Sequence, residues 1–222
     1  MKVRLWLGDA IYGVNDGLAA IFGIIAGVAG FTSNHHMILL SGWFGALAST
    51  LSMAAGAWLA ARSENELSAR DTSVLHARVK QNMQAEIGRL TAHYEQWGFT
   101  PEEAAWITKR LAEQPERLQQ VISQQEGIHS ENDRSPVHSF LVAGASTLVG
   151  ACIPMLPLMI FTPSLAFIAA AVVSVLAHFA VGAVKSLVTM RSWWFSGLEM
   201  MAVGIIVGVA SYGLGLLTSR IV

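Results

Sequence analysis

Residues 11–31 read IYGVNDGLAAIFGIIAGVAGF, and the class of the whole chain turns on this stretch. Coiled as a helix it is long enough to cross a hydrocarbon core of about 30 Å, which takes about 20 apolar residues. Its first half nevertheless carries Asn15 and Asp16. A carboxylate at membrane depth costs several kcal/mol, so it faces a protein interior or a water-filled path rather than lipid. Two readings follow: Asp16 is a site on an ion path, or it is a buried group that holds helices together by hydrogen bonds. Glycines stand at 13, 17, 23, 27 and 30, and the four-residue spacing of two pairs suits close backbone approach between helices. That spacing predicts a dimer in which the glycine face, Gly23 and Gly27 above all, meets its own copy.

The rest of the composition agrees with a membrane setting. The chain has 222 residues, of which 53% are hydrophobic and 13% charged, and its mean hydropathy is +0.49. Soluble domains carry about 25% charged residues. The charge is also segregated, since twelve of the fifteen Asp and Glu residues fall between residues 62 and 136. A membrane domain interrupted by one polar insertion is therefore expected. No basic run of the kind nucleic acid requires is present, so nucleic acid is excluded as a partner. Cys152 is the single cysteine, which rules out a disulfide within the chain. The basic start MKVRLWLGDA leads into a full-length apolar segment holding Asp16, and is expected to stay as the first span rather than be cleaved.

Beyond a short turn at TSNHH, a second span is expected over residues 37–61, rich in small residues and containing Met53. A methionine there is core filler or, through its thioether, a soft metal ligand. From Arg62 the pattern changes. Leu67, Val74, Val79, Met83, Ile87, Leu90, Tyr94 and Trp97 mark the apolar face of one long helix, stopped by Gly98. Thr100, Pro101 and Glu103 form an N-cap, a first-turn proline and a capping-box glutamate. Pro115 opens a third helix that Gly127 closes. These three helices, residues 62–136 in all, are expected to pack as a small bundle outside the membrane, leaving residues 1–61 and 137–222 to the spans.

The third span, residues 137–161, contains Pro154 and Pro157, which are expected to kink or break it. A fourth covers 164–187 and holds His178, alone on an apolar helix, where a structural histidine is the ordinary reading. The fifth, residues 195–218, follows the interfacial tryptophans Trp193 and Trp194 and places Glu199 near its start. With the N-terminus inside, thirteen of the fourteen Lys and Arg residues lie on the cytoplasmic side, leaving only Arg220 outside. The positive-inside rule thus predicts five spans, a cytoplasmic N-terminus and an external C-terminus. The fold class is all-α: a polytopic membrane protein with five transmembrane helices and a three-helix cytosolic insertion between helices 2 and 3.

In this order the segments NDGLAAIFGIIAGVAG, LSMAAGAWLAARSENE, HYEQWGFTPEEA, IPMLPLMIF and VKSLVTMRSWWFSGLEM resemble the vacuolar iron transporter family, and within it the bacterial branch. The resemblance covers nearly the whole chain. It implies proton-coupled export of ferrous iron, and often manganese, from the cytosol across the inner membrane by a homodimer. The metal is cargo, and no tightly bound cofactor is implied. In family members the path at the dimer interface uses a first-helix aspartate and a second-helix methionine, which match Asp16 and Met53 here. Asn15 adjoins this path. Glu199 lies in the matched GLEM segment and is open to two roles, a proton relay or an interfacial partner for Lys185 or Arg191.

The sequence also departs from the family pattern. Ser49 stands where an acidic residue is frequent, and Gly56-Ala57-Trp58 where Gly-Glu-Tyr is. In the insertion the candidate metal ligands are Glu64, Glu66, Asp71 and Glu126, interspersed with Leu75, Arg78 and Lys80. His76, His93 and His129 show no ligand spacing. The bundle is therefore expected to fold but to hold metal weakly. Three other readings stand beside the transporter: one for a different cation, a non-transporting scaffold whose bundle binds a partner, and a membrane enzyme. The spans carry no Ser/His or paired-Asp motif to support an enzyme.

Overall fold

The computed structural model describes residues 2–128 and 135–221. Eight helices account for nearly all of them: α1 (Lys2–Phe31), α2 (His35–Gln81), α3 (Met83–Gln96), α4 (Pro101–Ala112), α5 (Pro115–Gln125), α6 (Pro136–Ile160), α7 (Pro163–Thr189) and α8 (Trp193–Thr218). Five of these, α1, α2, α6, α7 and α8, are long and apolar enough to cross a membrane. The protein is an all-α, multi-pass membrane protein. It divides into two compact units, one formed by Met1–Leu59 with Pro136–Val222 and the other by Ala60–Ser135.

In the first unit α1 is the central helix, packed against α6, α7 and α8. Its glycines make that possible. A Cβ on Gly17 would overlap the carbonyl of Thr147, one on Gly13 the Ser146 hydroxyl, and one on Gly30 the carbonyl of Tyr212. The partners reciprocate, with Gly150 against the Val14 carbonyl and Gly215 against that of Gly27. Ile21, Phe22, Ile25, Met155 and Leu158 fill the core between these contacts. For Gly13, Gly17 and Gly30 the expectation of a face that meets a second copy is thus corrected. Gly13, Gly17 and Gly30 are taken up inside the chain, and Gly23 and Gly27 look onto Val207 and Ser211 of α8. Four-residue glycine spacing permits close approach to any helix and does not name which one.

These contacts separate two glycines that look alike in sequence. Gly17→Ala should lower the melting temperature of the detergent-solubilised protein, since overpacking of this kind costs about 1–3 kcal/mol. Gly56 has no heavy atom within 4 Å of its would-be Cβ. Gly56→Ala should therefore leave melting unchanged or raise it, alanine being the better helix former by about 1 kcal/mol. Equal melting shifts in the two variants would refute the packing of α1 on α6.

Two helices differ from expectation. The second span was expected to end near residue 61, ahead of a separate helix reaching Trp97, yet α2 runs 47 residues from the membrane segment into the second unit. No glycine or proline interrupts residues 62–81, and an Arg62–Glu66 pair at 2.8 Å continues the helical surface. The break comes at Asn82, whose backbone leaves the helix (φ −151°) and whose side chain accepts the Ala85 N–H at 3.1 Å, opening α3. In α6, Pro154 and Pro157 are both buried and do not break the helix, which is continuous to Ile160. Each proline forfeits one N–H, a loss that membrane helices absorb where neighbours cover the freed carbonyl.

The second unit gathers Leu75, Val79, Leu90, Leu118 and Ile122 from α2, α3 and α5 into one core. The capping box is formed as expected: Thr100 Oγ1 accepts from Glu103 N–H at 3.3 Å, and Glu103 Oε2 accepts from Thr100 N–H at 2.9 Å. Gly98 and Gly127, at φ +96° and +71°, end their helices in the left-handed region that a side chain would resist.

Candidate metal path

Asp16 sits on α1, half-buried, and its Oδ2 accepts a hydrogen bond from Ser49 Oγ of α2 at 3.2 Å. This is a direct polar link between the first two spans. Met53 follows Ser49 by four residues, so it lies on the same face of α2, about 6 Å further along. It too is half-buried. A carboxylate, a hydroxyl and a thioether thus line one strip of the membrane unit. The Oδ1 atom of Asn15 and the hydroxyl of Thr50 are buried nearby in sequence, and no protein group hydrogen-bonds either. Both are neutral oxygens of the kind that complete the shell of a divalent ion.

Ser49 enters as a functional candidate only through this geometry. In the sequence it shows merely as a missing acid, because a serine's meaning depends on what stands across the helix gap. Glu199 is exposed on α8, and among the described residues it makes no ion pair with Lys185 or Arg191. No group of three His, Cys, Asp or Glu side chains converges anywhere among the described residues.

The candidate ligands of the second unit are placed apart. Glu66 pairs with Arg62, while Glu64 and Asp71 lie on the exposed surface of α2. Glu126 is bound by Arg78 at 2.5 Å, and the same guanidinium reaches Glu86 at 3.4 Å. Arg89 adds a second contact to Glu86 at 2.9 Å. Glu86 is the buried carboxylate here, its side chain 5% exposed, and two arginines serve it. The hydrogen bond to Glu126 raises the Arg78 pKa above its ordinary value, more than burial lowers it. A raised pKa means that this stabilisation is fully present at neutral pH and is lost only in strong alkali. His93 lies against Trp97 with ring centres 4.7 Å apart and planes tilted by 51°, His76 is exposed, and His129 lies outside the described residues.

Comparison with known proteins closes the identification. The model of the VIT family matches residues 7–216, which takes in every span and the whole insertion. The chain belongs to the VIT family. Among its VIT relatives, vacuolar iron transporter 1 of Oryza sativa subsp. japonica is 27% identical over 213 residues, covering 93% of this chain and 82% of the relative. Vacuolar iron transporter 1 of Arabidopsis thaliana is 26% identical over 206 residues, covering 92% and 82%. The same-named protein of Eucalyptus grandis is 26% identical over 212 residues, covering 93% and 84%. The matched region of this VIT chain includes Asp16, Ser49 and Met53, as well as the arginine-bound acids of the insertion.

Proposed function

We propose that this VIT family member exports ferrous iron, and manganese with it, from the cytosol in exchange for protons, acting as a homodimer. The observation that carries the reading is Asp16, a carboxylate in a membrane span, held by Ser49 on the strip that continues to Met53. Hard charge beside a soft thioether suits a borderline divalent ion. The names of the relatives, vacuolar iron transporters all, point the same way. One chain supplies few ligands to this strip, whereas hard divalent ions take about six. A second copy across the exposed face of α2, where Phe44, Leu47 and Leu51 stand clear of their own chain, supplies the remainder. The protein is placed in the inner membrane, and the distribution of Lys and Arg favours a cytoplasmic N-terminus and an external C-terminus.

A second reading is a transporter for another cation, favoured by Ser49, since a hydroxyl in place of an acid leaves one fewer negative charge on the strip. Flux decides between these and a scaffold. Purified protein in liposomes should move Fe2+ and Mn2+ above the level of protein-free vesicles. Movement of a different divalent ion alone would select the second reading, and movement of none would leave only the scaffold.

A further inference from the structure

His178 lies near the middle of α7 and is fully buried. Its Nδ1 stands 2.8 Å from the backbone carbonyl of Ser174. A carbonyl only accepts, so Nδ1 carries the proton and, in the neutral ring, Nε2 is a bare lone pair. No protein group hydrogen-bonds that lone pair. The imidazole occupies space that only a glycine leaves, because a Cβ on Gly204 of α8 would lie 2.7 Å from its Cγ and Nδ1.

Two hydroxyls share the condition of Nε2. Ser174 Oγ is one turn away on α7, buried and without a partner. Ser196 Oγ of α8 is likewise buried and unpartnered, and its residue's carbonyl lies against Gly182, one turn beyond His178. Three buried polar atoms without a partner are thus carried by these two packed helices. Each costs roughly 1–3 kcal/mol, a cost that apolar packing at the same positions would avoid.

We propose that His178 is a proton-binding site in the α7–α8 seam, taking up and releasing a proton on Nε2 during metal transport. The inference rests on the transport reading and adds to it a place for the proton apart from the Asp16 strip. The ring alternates between imidazole and imidazolium, and the proton comes from and returns to water, so no other group changes charge. On the helices packed against α7 the titratable side chains are Asp9, Tyr12 and Asp16 of α1, His138 and Cys152 of α6, and Glu199 and Tyr212 of α8; Lys185 is on α7 itself. None of them hydrogen-bonds the ring.

The test uses the full-length protein in liposomes, Mn2+ as probe and a trapped pH dye. Wild type should show Mn2+ flux that a pH gradient increases, with a matching proton signal. His178→Gln keeps a polar side chain of similar length but takes up no proton. It should retain downhill Mn2+ flux while losing both the gradient-driven increase and the proton signal. Gradient-driven flux and a proton signal of wild-type size in His178→Gln would overturn the proposal. Should that variant fail to fold, residue-resolved exchange of the imidazole C2 hydrogen in the wild type decides the matter. Titration of His178 between pH 5 and 8 supports the site, and a flat profile overturns it. If the wild type moves no Mn2+, the transport reading fails while the exchange profile still judges the proton site.

Discussion

Asp16→Asn should abolish metal flux while leaving the protein folded. Amide and carboxylate have nearly the same volume, and the asparagine oxygen still accepts from the Ser49 hydroxyl that lies 3.2 Å from Oδ2. What disappears is one negative charge at membrane depth. At an effective dielectric of 20, a unit charge pair 4 Å apart is worth about 4 kcal/mol, and a divalent ion doubles it. Every 1.36 kcal/mol is a factor of ten, so a fall of at least about a hundredfold is expected even after generous screening. Met53→Leu removes a soft ligand but keeps the packing, so its loss should be smaller. Ser49→Ala should fall between the two if the hydroxyl contributes to the strip. Flux of iron and manganese in liposomes, read beside an unchanged gel-filtration profile, checks this. Full transport by Asp16→Asn would remove the carboxylate from the path.

Arg78→Ala should weaken the second unit more than any other exchange of a charged side chain there. Its guanidinium joins α2 to α3 through Glu86 and to the C-terminal cap of α5 through Glu126. Removing one partner of a fully buried pair costs about 3–5 kcal/mol, but Arg78 and Glu126 are each about a third exposed, so solvent screens part of this. Arg89 still serves Glu86 at 2.9 Å, so about 2–3 kcal/mol is expected. Arg78→Lys should recover part of the loss, since a single nitrogen, Nη2, meets both carboxylates and an ammonium also offers one nitrogen. Hydrogen exchange of the α3 and α5 amides in the full-length protein is the measurement, and unchanged protection in Arg78→Ala would disprove the clasp. The same variant tests the weak metal affinity expected of this unit. With the guanidinium gone, Glu86 and Glu126 have room for an external cation, so Mn2+ should restore protection in Arg78→Ala and change nothing in the wild type.

Features that depend on neighbours in sequence were legible beforehand. The capping box of Thr100 and Glu103, the stops at Gly98 and Gly127 and the five apolar lengths all follow from local chemistry. Reading failed where the outcome depends on what lies across a gap. A glycine pair looks the same whether it seats a helix of its own chain or of another, so the seats of Gly13 and Gly17 on α6 could not be told from a face offered to a second copy. The change from apolar to polar residues at Arg62 marks the end of the lipid-facing surface but carries no helix stop, so α2 runs on to Asn82. Ser49 and Glu86 gained their significance only once Asp16 and Arg78 were seen opposite them.

The placement of α1 bears on how the protein is made. Of the five spans, α1 is made before the others, carries Asp16 and seats its glycines on α6 and α8, which are made later. Its earliest neighbour, α2, offers the Ser49 hydroxyl but not the close backbone seats. Until α6 arrives, the first span sits in lipid with its notches empty and its carboxylate poorly covered, a costly state for an intramembrane charge. Biogenesis therefore ends with the closing of its N-terminal segment rather than beginning with it. Nascent chains arrested before Pro136 should be caught by membrane quality control, while those released after Thr218 escape it.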